Sequence, residues 1–275
     1  MFKLEKASDN IGVIATGLDV ATMSQSDFQT LYQAWLDHSV LIVRNQKLTI
    51  EQFLAYGKKF GVIQPHRVRK TRHPEYPELT VMGQAKKKAD GTLNESIYNR
   101  GVSWHTDGPW DDRACKATQL LGLEIPSYGG DTLFANMYLG YQNLPKALKD
   151  RIESLKAQYV YGGRKKIGFD LLEAEDQLRP PTEYSLVRTH PETKQKSLYF
   201  NPFHILKISG VSEAQSEALI DELTANMIAT NSDYRHRWQV GDLITWDNRC
   251  TLHSATGGYP VEENRIHWRC TIREQ

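Results

Sequence analysis

Eight short runs with strand character are strung along this 275-residue chain, separated by turn formers rather than regular helical crossovers. They lie at 40–43, 79–82, 118–123, 132–136, 185–189, 198–200, 243–246 and 266–272, punctuated by clusters such as Gly129-Gly130-Asp131 and Gly241-Asp242. Parallel strands need long crossover connections, usually helices, whereas antiparallel strands do not. Strict βαβ alternation is missing here, so the expected fold is mainly β with peripheral helices, an antiparallel sandwich or jelly roll. Neither a Gly-x-Gly-x-x-Gly fingerprint nor a Walker loop is present, which disfavours a nucleotide-binding α/β fold.

Four apolar stripes mark the helices. Ser26 and Gln29 form a capping-box pattern around Phe28, Leu31, Tyr32, Trp35 and Leu36. Thr49 and Gln52 open a second helix carrying Phe53, Leu54 and Phe60. Leu144, Leu148, Ile152 and Leu155 make a third stripe, and Ser212 with Gln215 opens a fourth bearing Leu219, Ile220, Leu223 and Met227. All four stripes read as core. No internal repeat or long linker divides the chain, so residues 1–275 are expected to form one domain. The stretch 84–103 has few apolar residues and leads into His105; it reads as a lid or substrate loop, with a plain surface insertion as the alternative.

Charge narrows the partners. Lys and Arg total 34 against 33 Asp and Glu, a net charge of +1, so electrostatic capture of nucleic acid or an anionic membrane is not expected. No apolar run approaches membrane-spanning length, and Met1-Phe2-Lys3-Leu4-Glu5-Lys6 carries charge where a secretory signal needs an apolar core. Cys115, Cys250 and Cys270 are odd in number and widely spaced, as expected of reduced thiols in a cytoplasmic protein.

The chemistry concentrates at Ser103-Trp104-His105-Thr106-Asp107-Gly108 and, far downstream, at His253. Residues i and i+2 of an extended segment project to one side, so His105 and Asp107 can meet one metal ion. With His253 brought in by the fold, two imidazoles and a carboxylate can occupy one face of an octahedral iron(II) ion and leave three positions open. A lone His-x-Asp is common as a surface turn, so the weight rests on what accompanies it.

The accompanying residues resemble the taurine dioxygenase-like (TauD/TfdA-type) branch of the Fe(II)/2-oxoglutarate-dependent dioxygenases. That pattern runs His-x-Asp, a Thr or Ser, a distant His, and an Arg shortly after, matched here by His105, Asp107, Thr132, His253 and Arg265. The resemblance extends to Val187-Arg188-Thr189-His190-Pro191, Leu198-Tyr199-Phe200-Asn201 and Trp246-Asp247-Asn248-Arg249, nearly the whole chain. It implies a double-stranded β-helix (jelly-roll, cupin-like) core, a homo-oligomer (dimer or tetramer), and catalysis with Fe(II), 2-oxoglutarate and O2. His105, Asp107 and His253 would hold iron, while Arg265 and Thr132 would bind the distal carboxylate of 2-oxoglutarate. The product pair would be succinate and CO2, with hydroxylation of a small, anionic substrate. Asp107 favours hydroxylation over halogenation, since related halogenases lack that carboxylate.

For the substrate, the resemblance places Arg269, Phe203, His66, Arg69 and Gly101 around the pocket. Arg269 reads either as a clamp for a carboxylate or sulfonate or as a support for the cosubstrate site. Gly101 stands where the taurine enzyme offers an asparagine, and His267-Trp268 replaces the usual Met-His. These departures leave sulfonates, carboxylates, alkyl sulfates and phenoxyalkanoates all open. Two further readings are another metal-dependent jelly-roll enzyme, such as an isomerase or hydrolase, and a non-catalytic binding jelly roll. The Thr132–Arg265 pair argues against the first, and the complete ligand set against the second.

Overall fold

A computed structural model describes residues 2–83, 87, 90–99, 101–230 and 234–274. Parts of the 84–103 loop, namely 84–86, 88, 89 and 100, lie outside the described residues; the described part includes one helical turn. In chain order come β1 (Lys3–Lys6), β2 (Val13–Thr16), α1 (Gln25–His38), β3 (Val40–Val43), α2 (Ile50–Lys58), β4 (Val62–Gln64), β5 (Thr80–Met82) and α3 (Glu95–Tyr98). Next are β6 (Cys115–Glu124), β7 (Thr132–Asn136), α4 (Met137–Gln142), α5 (Lys146–Ile152), β8 (Lys156–Tyr159), α6 (Ala174–Gln177), β9 (Thr182–Ser185), β10 (Val187–Thr189), β11 (Lys196–Leu198) and β12 (Ile205–Ser209). The chain finishes with α7 (Glu213–Thr230), β13 (Tyr234–His236), β14 (Leu243–Asp247), β15 (Thr251–Ala255) and β16 (Ile266–Arg273).

The major sheet runs β1-β2-β3-β14-β6-β16-β4, with β5 also on β16; β13-β7-β15 forms a smaller sheet. All major-sheet pairs are antiparallel except β2 with β3, which the α1 crossover makes parallel. Val40, Ile42, Leu120, Ile244 and Trp246 of the major sheet pack against Phe134 of the smaller sheet and Trp238, closing a jelly roll over one shared core. Fully burying each such side chain contributes roughly 1.5–3 kcal/mol. Helices α1 and α2 cover the outer face of the major sheet through Leu31, Trp35, Phe53 and Leu54. Leu219, Ile220, Leu223 and Met227 of α7 join the cluster that backs the other sheets.

Two sequence expectations shift. The first helix is capped by Ser24 with Asp27, not by Ser26 with Gln29: Asp27 N–H donates to Ser24 Oγ at 3.1 Å and Ser24 N–H donates back to the Asp27 carboxylate at 3.2 Å. Both pairs satisfy the spacing rule, and a carboxylate in the first turn gains from the helix dipole where an amide does not. The run at 185–189 is broken, because β9 pairs with β8 while β10 pairs with β11, the chain changing partners at Leu186. The boxes at Thr49/Gln52 and Ser212/Gln215 form as expected.

Candidate active site

Register places the side chains. In an antiparallel pair, residues directly opposite project to the same face. On β15 and β7, His253 lies opposite Phe134 and Ala255 opposite Thr132, so His253 and Thr132 share the inward face. His105 joins the free edge of β15 through a two-way bridge: His105 N–H to the His253 carbonyl at 3.0 Å, and His253 N–H to the His105 carbonyl at 2.9 Å. The two imidazoles end 4.1 Å apart between ring centres. Asp107 comes within 3.9 Å of His105 Nε2 and 3.8 Å of His253 Nε2.

These three side chains form a set that can hold a metal ion. His105 Nδ1 lies 2.6 Å from the Ser103 carbonyl, which takes the ring proton there and directs Nε2 towards Asp107 and the cluster. His253 Nδ1 is buried without a partner among the described residues. Burial and His105 push His253 well below the usual imidazole pKa, so it is neutral as a ligand must be. Burial opposes ionisation of Asp107, but Arg269, His253, His105 and the Thr118 hydroxyl outweigh it and hold the carboxyl well below the usual range.

Two neighbouring strands of the major sheet hold Asp107. Arg269 on β16 reaches its Oδ1 at 2.8 Å, and the Thr118 hydroxyl on β6 donates to Oδ2 at 2.6 Å. Asn248 secures the loop beneath: its Oδ1 accepts from Asp107 N–H at 3.1 Å and Trp246 Nε1 at 3.1 Å, and its amide donates to Thr118 at 3.0 Å. Asn201 adds a bond to the Thr106 carbonyl at 2.7 Å. Sequence reasoning assigned no role to Thr118 or to the Asn248 hub.

Arg265 sits at the start of β16. Its Nε donates to the Gly130 carbonyl at 2.6 Å, two residues before Thr132. The surrounding protein lowers its pKa to about 10, yet the side chain remains partly open, as a group lining a pocket would be. Among the described residues no carboxylate forms an ion pair with it. The Thr132 hydroxyl accepts from Trp238 Nε1 at 3.0 Å. Gly130 has φ +63°, and a Cβ there would stand 2.7 Å from Arg265 Cδ, so only glycine lets the guanidinium lie against this turn.

The remaining candidates divide. The Phe203 ring is centred 6.4 Å from His105, with Trp110, Tyr161 and His204 continuing an aromatic wall. Gly101 lies against the metal set: a Cβ there would be 3.8 Å from His105 Cε1. His66 is buried, its Nδ1 accepting from Val68 N–H at 3.2 Å. Arg69 is taken up by Glu175 and Asp176 and lines an arginine-rich cleft of about 520 Å³ with Arg67, Arg72 and Arg273. Nothing in the structure brings Arg69 to the three ligand side chains. A second set, His190, Asp247 and Cys250, also has metal-like spacing, but Arg249 already occupies the Asp247 carboxylate at 2.6 and 2.8 Å.

The chain resembles known proteins over most of its length. The sequence is 29% identical over 279 residues to the (S)-phenoxypropionate/alpha-ketoglutarate-dioxygenase of Sphingobium herbicidovorans, covering 98% of this chain and 94% of that protein. It is 33% identical over 244 residues to the alpha-ketoglutarate-dependent 2,4-dichlorophenoxyacetate dioxygenase of Cupriavidus pinatubonensis, covering 86% and 84%. The fold superposes on the crystal structure of a taurine dioxygenase from Burkholderia xenovorans with a TM-score of 0.80 at 29% identity, covering 100% of this chain and 90% of that one. The family model described as "Taurine catabolism dioxygenase TauD, TfdA family" matches residues 3–271, and the chain belongs to that dioxygenase family.

Proposed function

We propose that this chain is a single-domain Fe(II)- and 2-oxoglutarate-dependent dioxygenase that hydroxylates a small organic anion, releasing succinate and CO2. The observation that carries the reading is a metal-type donor set and an enclosed cation linked through Thr132, which shares a strand face with His253 and lies two residues from the Gly130 carbonyl that Arg265 holds. His105, Asp107 and His253 offer two neutral imidazoles and a carboxylate, a donor set suited to iron(II). Beside them, Arg265 is a largely enclosed cation with no carboxylate partner among the described residues, which fits a site for a ligand's anionic end.

In this reading His105, Asp107 and His253 hold the metal, and Arg265 pairs with the distal carboxylate of 2-oxoglutarate while Thr132 donates its hydroxyl to the same group. Bound iron would supply the activation of O2 that accompanies decarboxylation of the cosubstrate. The chain's own part is orientation and exclusion of water. Phe203, continued by His204 and Trp110, walls the substrate side of His105, and Gly101 borders the same space. Arg269 supports Asp107. Sulfonates, alkyl sulfates and phenoxyalkanoates are the substrate types to test, since relatives are named for acting on phenoxy acids and one, 32% identical, is an alkylsulfatase of Acinetobacter baylyi.

The first experiment is anaerobic addition of Fe(II) and 2-oxoglutarate. A visible metal-to-ligand charge-transfer band should appear in the wild type and be lost in His105→Ala. No band in the wild type would end the proposal. Succinate release, screened over the substrate types above, then identifies the co-reactant.

A further inference from the structure

Trp238 stands outside the Arg–Thr pair that the cosubstrate reading uses, yet it decides what the threonine can do. Its indole nitrogen lies 3.0 Å from Thr132 Oγ1, and both residues are buried. An indole N–H can only donate, whereas a hydroxyl can do either. The contact therefore has one polarity: Thr132 accepts. A threonine hydroxyl has three staggered positions for its proton, and the one aimed at the indole is excluded. Among the described residues Oγ1 has no other hydrogen-bond partner, so its proton is left for an acceptor supplied from the pocket.

The indole is itself fixed. It meets His267 edge-on at 4.4 Å and 73°, and His236 at 4.9 Å and 86°. His236 is held in turn by the buried Asp242 carboxylate at 3.0 Å, which also accepts from Arg44 and from Gln239 N–H. Arg265 stands two residues before His267, the ring against which Trp238 packs.

We infer that Trp238 is a positioning residue for the cosubstrate: its N–H occupies the acceptor side of Thr132 and so commits the hydroxyl to donate to the distal carboxylate of 2-oxoglutarate. This rests on the cosubstrate reading given above. Without the indole proton, the hydroxyl regains the option of turning its own proton away from the pocket. The effect belongs to the distal carboxylate alone.

The test is calorimetric titration of Mn(II)-loaded enzyme with 2-oxoglutarate, which needs no turnover. Trp238→Phe should weaken binding about threefold to tenfold, the worth of one neutral hydrogen bond. Thr132→Val should weaken it roughly tenfold or more, because a bond to a charged group is lost. The double variant should be no weaker than Thr132→Val alone. Binding of 2-oxobutyrate, which lacks the distal carboxylate, should be unchanged throughout. Replacing Trp238 with 3-benzothienylalanine, which keeps the bicyclic shape but has no N–H, should reproduce the phenylalanine result and guards against a packing defect. Unchanged affinity on losing the N–H, or additive losses in the double variant, overturns the positioning role. Should Thr132→Val itself leave 2-oxoglutarate binding intact, the fault lies in the cosubstrate assignment, and the inference falls with it.

Discussion

Replacing Arg269 with methionine separates the two roles this residue could have. The guanidinium lies 2.8 Å from Asp107 Oδ1, and both side chains are buried. At an effective dielectric constant near 20 the bare attraction at that distance is about 6 kcal/mol. Desolvation of both groups offsets part of it, and breaking such a pair from one side costs about 3–5 kcal/mol. At roughly 2–4 °C per kcal/mol for a chain of this size, metal-free Arg269→Met should melt on the order of 10 °C below the wild type. Methionine keeps the packing volume, so the loss reports the uncompensated Asp107 charge. A divalent ion compensates the same charge, so Mn(II) should raise the melting temperature more in the variant than in the wild type. Differential scanning fluorimetry with and without Mn(II) reads both numbers. If the metal-free melting temperature is unchanged, the Mn(II) increment is equal, and only the substrate KM rises, then Arg269 is a substrate clamp and the support role is wrong.

Three other outcomes follow from the geometry. Gly130→Ala forces a methyl to within 2.7 Å of Arg265 Cδ at a left-handed backbone position, and should weaken 2-oxoglutarate binding at least about tenfold, measured on Mn(II)-loaded enzyme; unchanged affinity would show that Arg265 does not need this turn. Asn248→Ala orphans the buried Asp107 N–H and Trp246 Nε1 and removes the donor to Thr118, and should cost about 3 kcal/mol in urea unfolding and loosen Mn(II) binding tenfold or more. For Asp247, burial raises the pKa, but Arg249 and His190 prevail and bring it to about 2. Its folded value lies below the unfolded one, so the stabilisation is complete above about pH 4 and fades as pH falls towards 2. The advantage of the wild type over Asp247→Asn in urea unfolding should therefore shrink by on the order of 2 kcal/mol between pH 6 and pH 2, and a constant difference would show that the ionised form is not what the network holds.

The His105, Asp107 and His253 cluster is legible in the sequence because few side chains serve the proposed metal chemistry, and because Thr132 and Arg265 accompany it in a fixed order. Strand register then makes physical sense of the order: Thr132 and His253 must be an even number of residues out of step across β7 and β15 to share a face. Trp238 was not legible, since a tryptophan before a strand reads as core, and only its 3.0 Å approach to a hydroxyl gives it another part. Thr118 and Asn248 were hidden for a related reason: only folding brings them to Asp107, which is 11 residues from the one and 141 from the other. Strand β1 is exposed at every residue and is a strand only because it pairs with β2, so no apolar alternation announces it. The fate of Arg69 depended on Glu175 and Asp176, which local composition cannot connect to it.

The division between what the sequence reveals and what it conceals follows the way the site is built. His253, Thr132 and Arg269 project from paired strands, and His105 is bonded to the edge of β15 in both directions. Their spacing is set by ladders that a one-residue slip would turn inside out. Asp107 is bound by Thr118 and Arg269 on the major sheet and by the Asn248 hub, while His253 stands on the smaller sheet, so the two sheets must close for the three side chains to meet. Gly101, His66, Arg69 and Phe203 instead sit on connections between elements, where insertions and substitutions cost little. A fold arranged this way can keep one oxidising centre while its connecting segments change the molecule presented to it. That is why the proposed roles of His105, Asp107, Thr132, His253 and Arg265 concern the reaction, and why Gly101 and Phe203 are the places to look for the substrate.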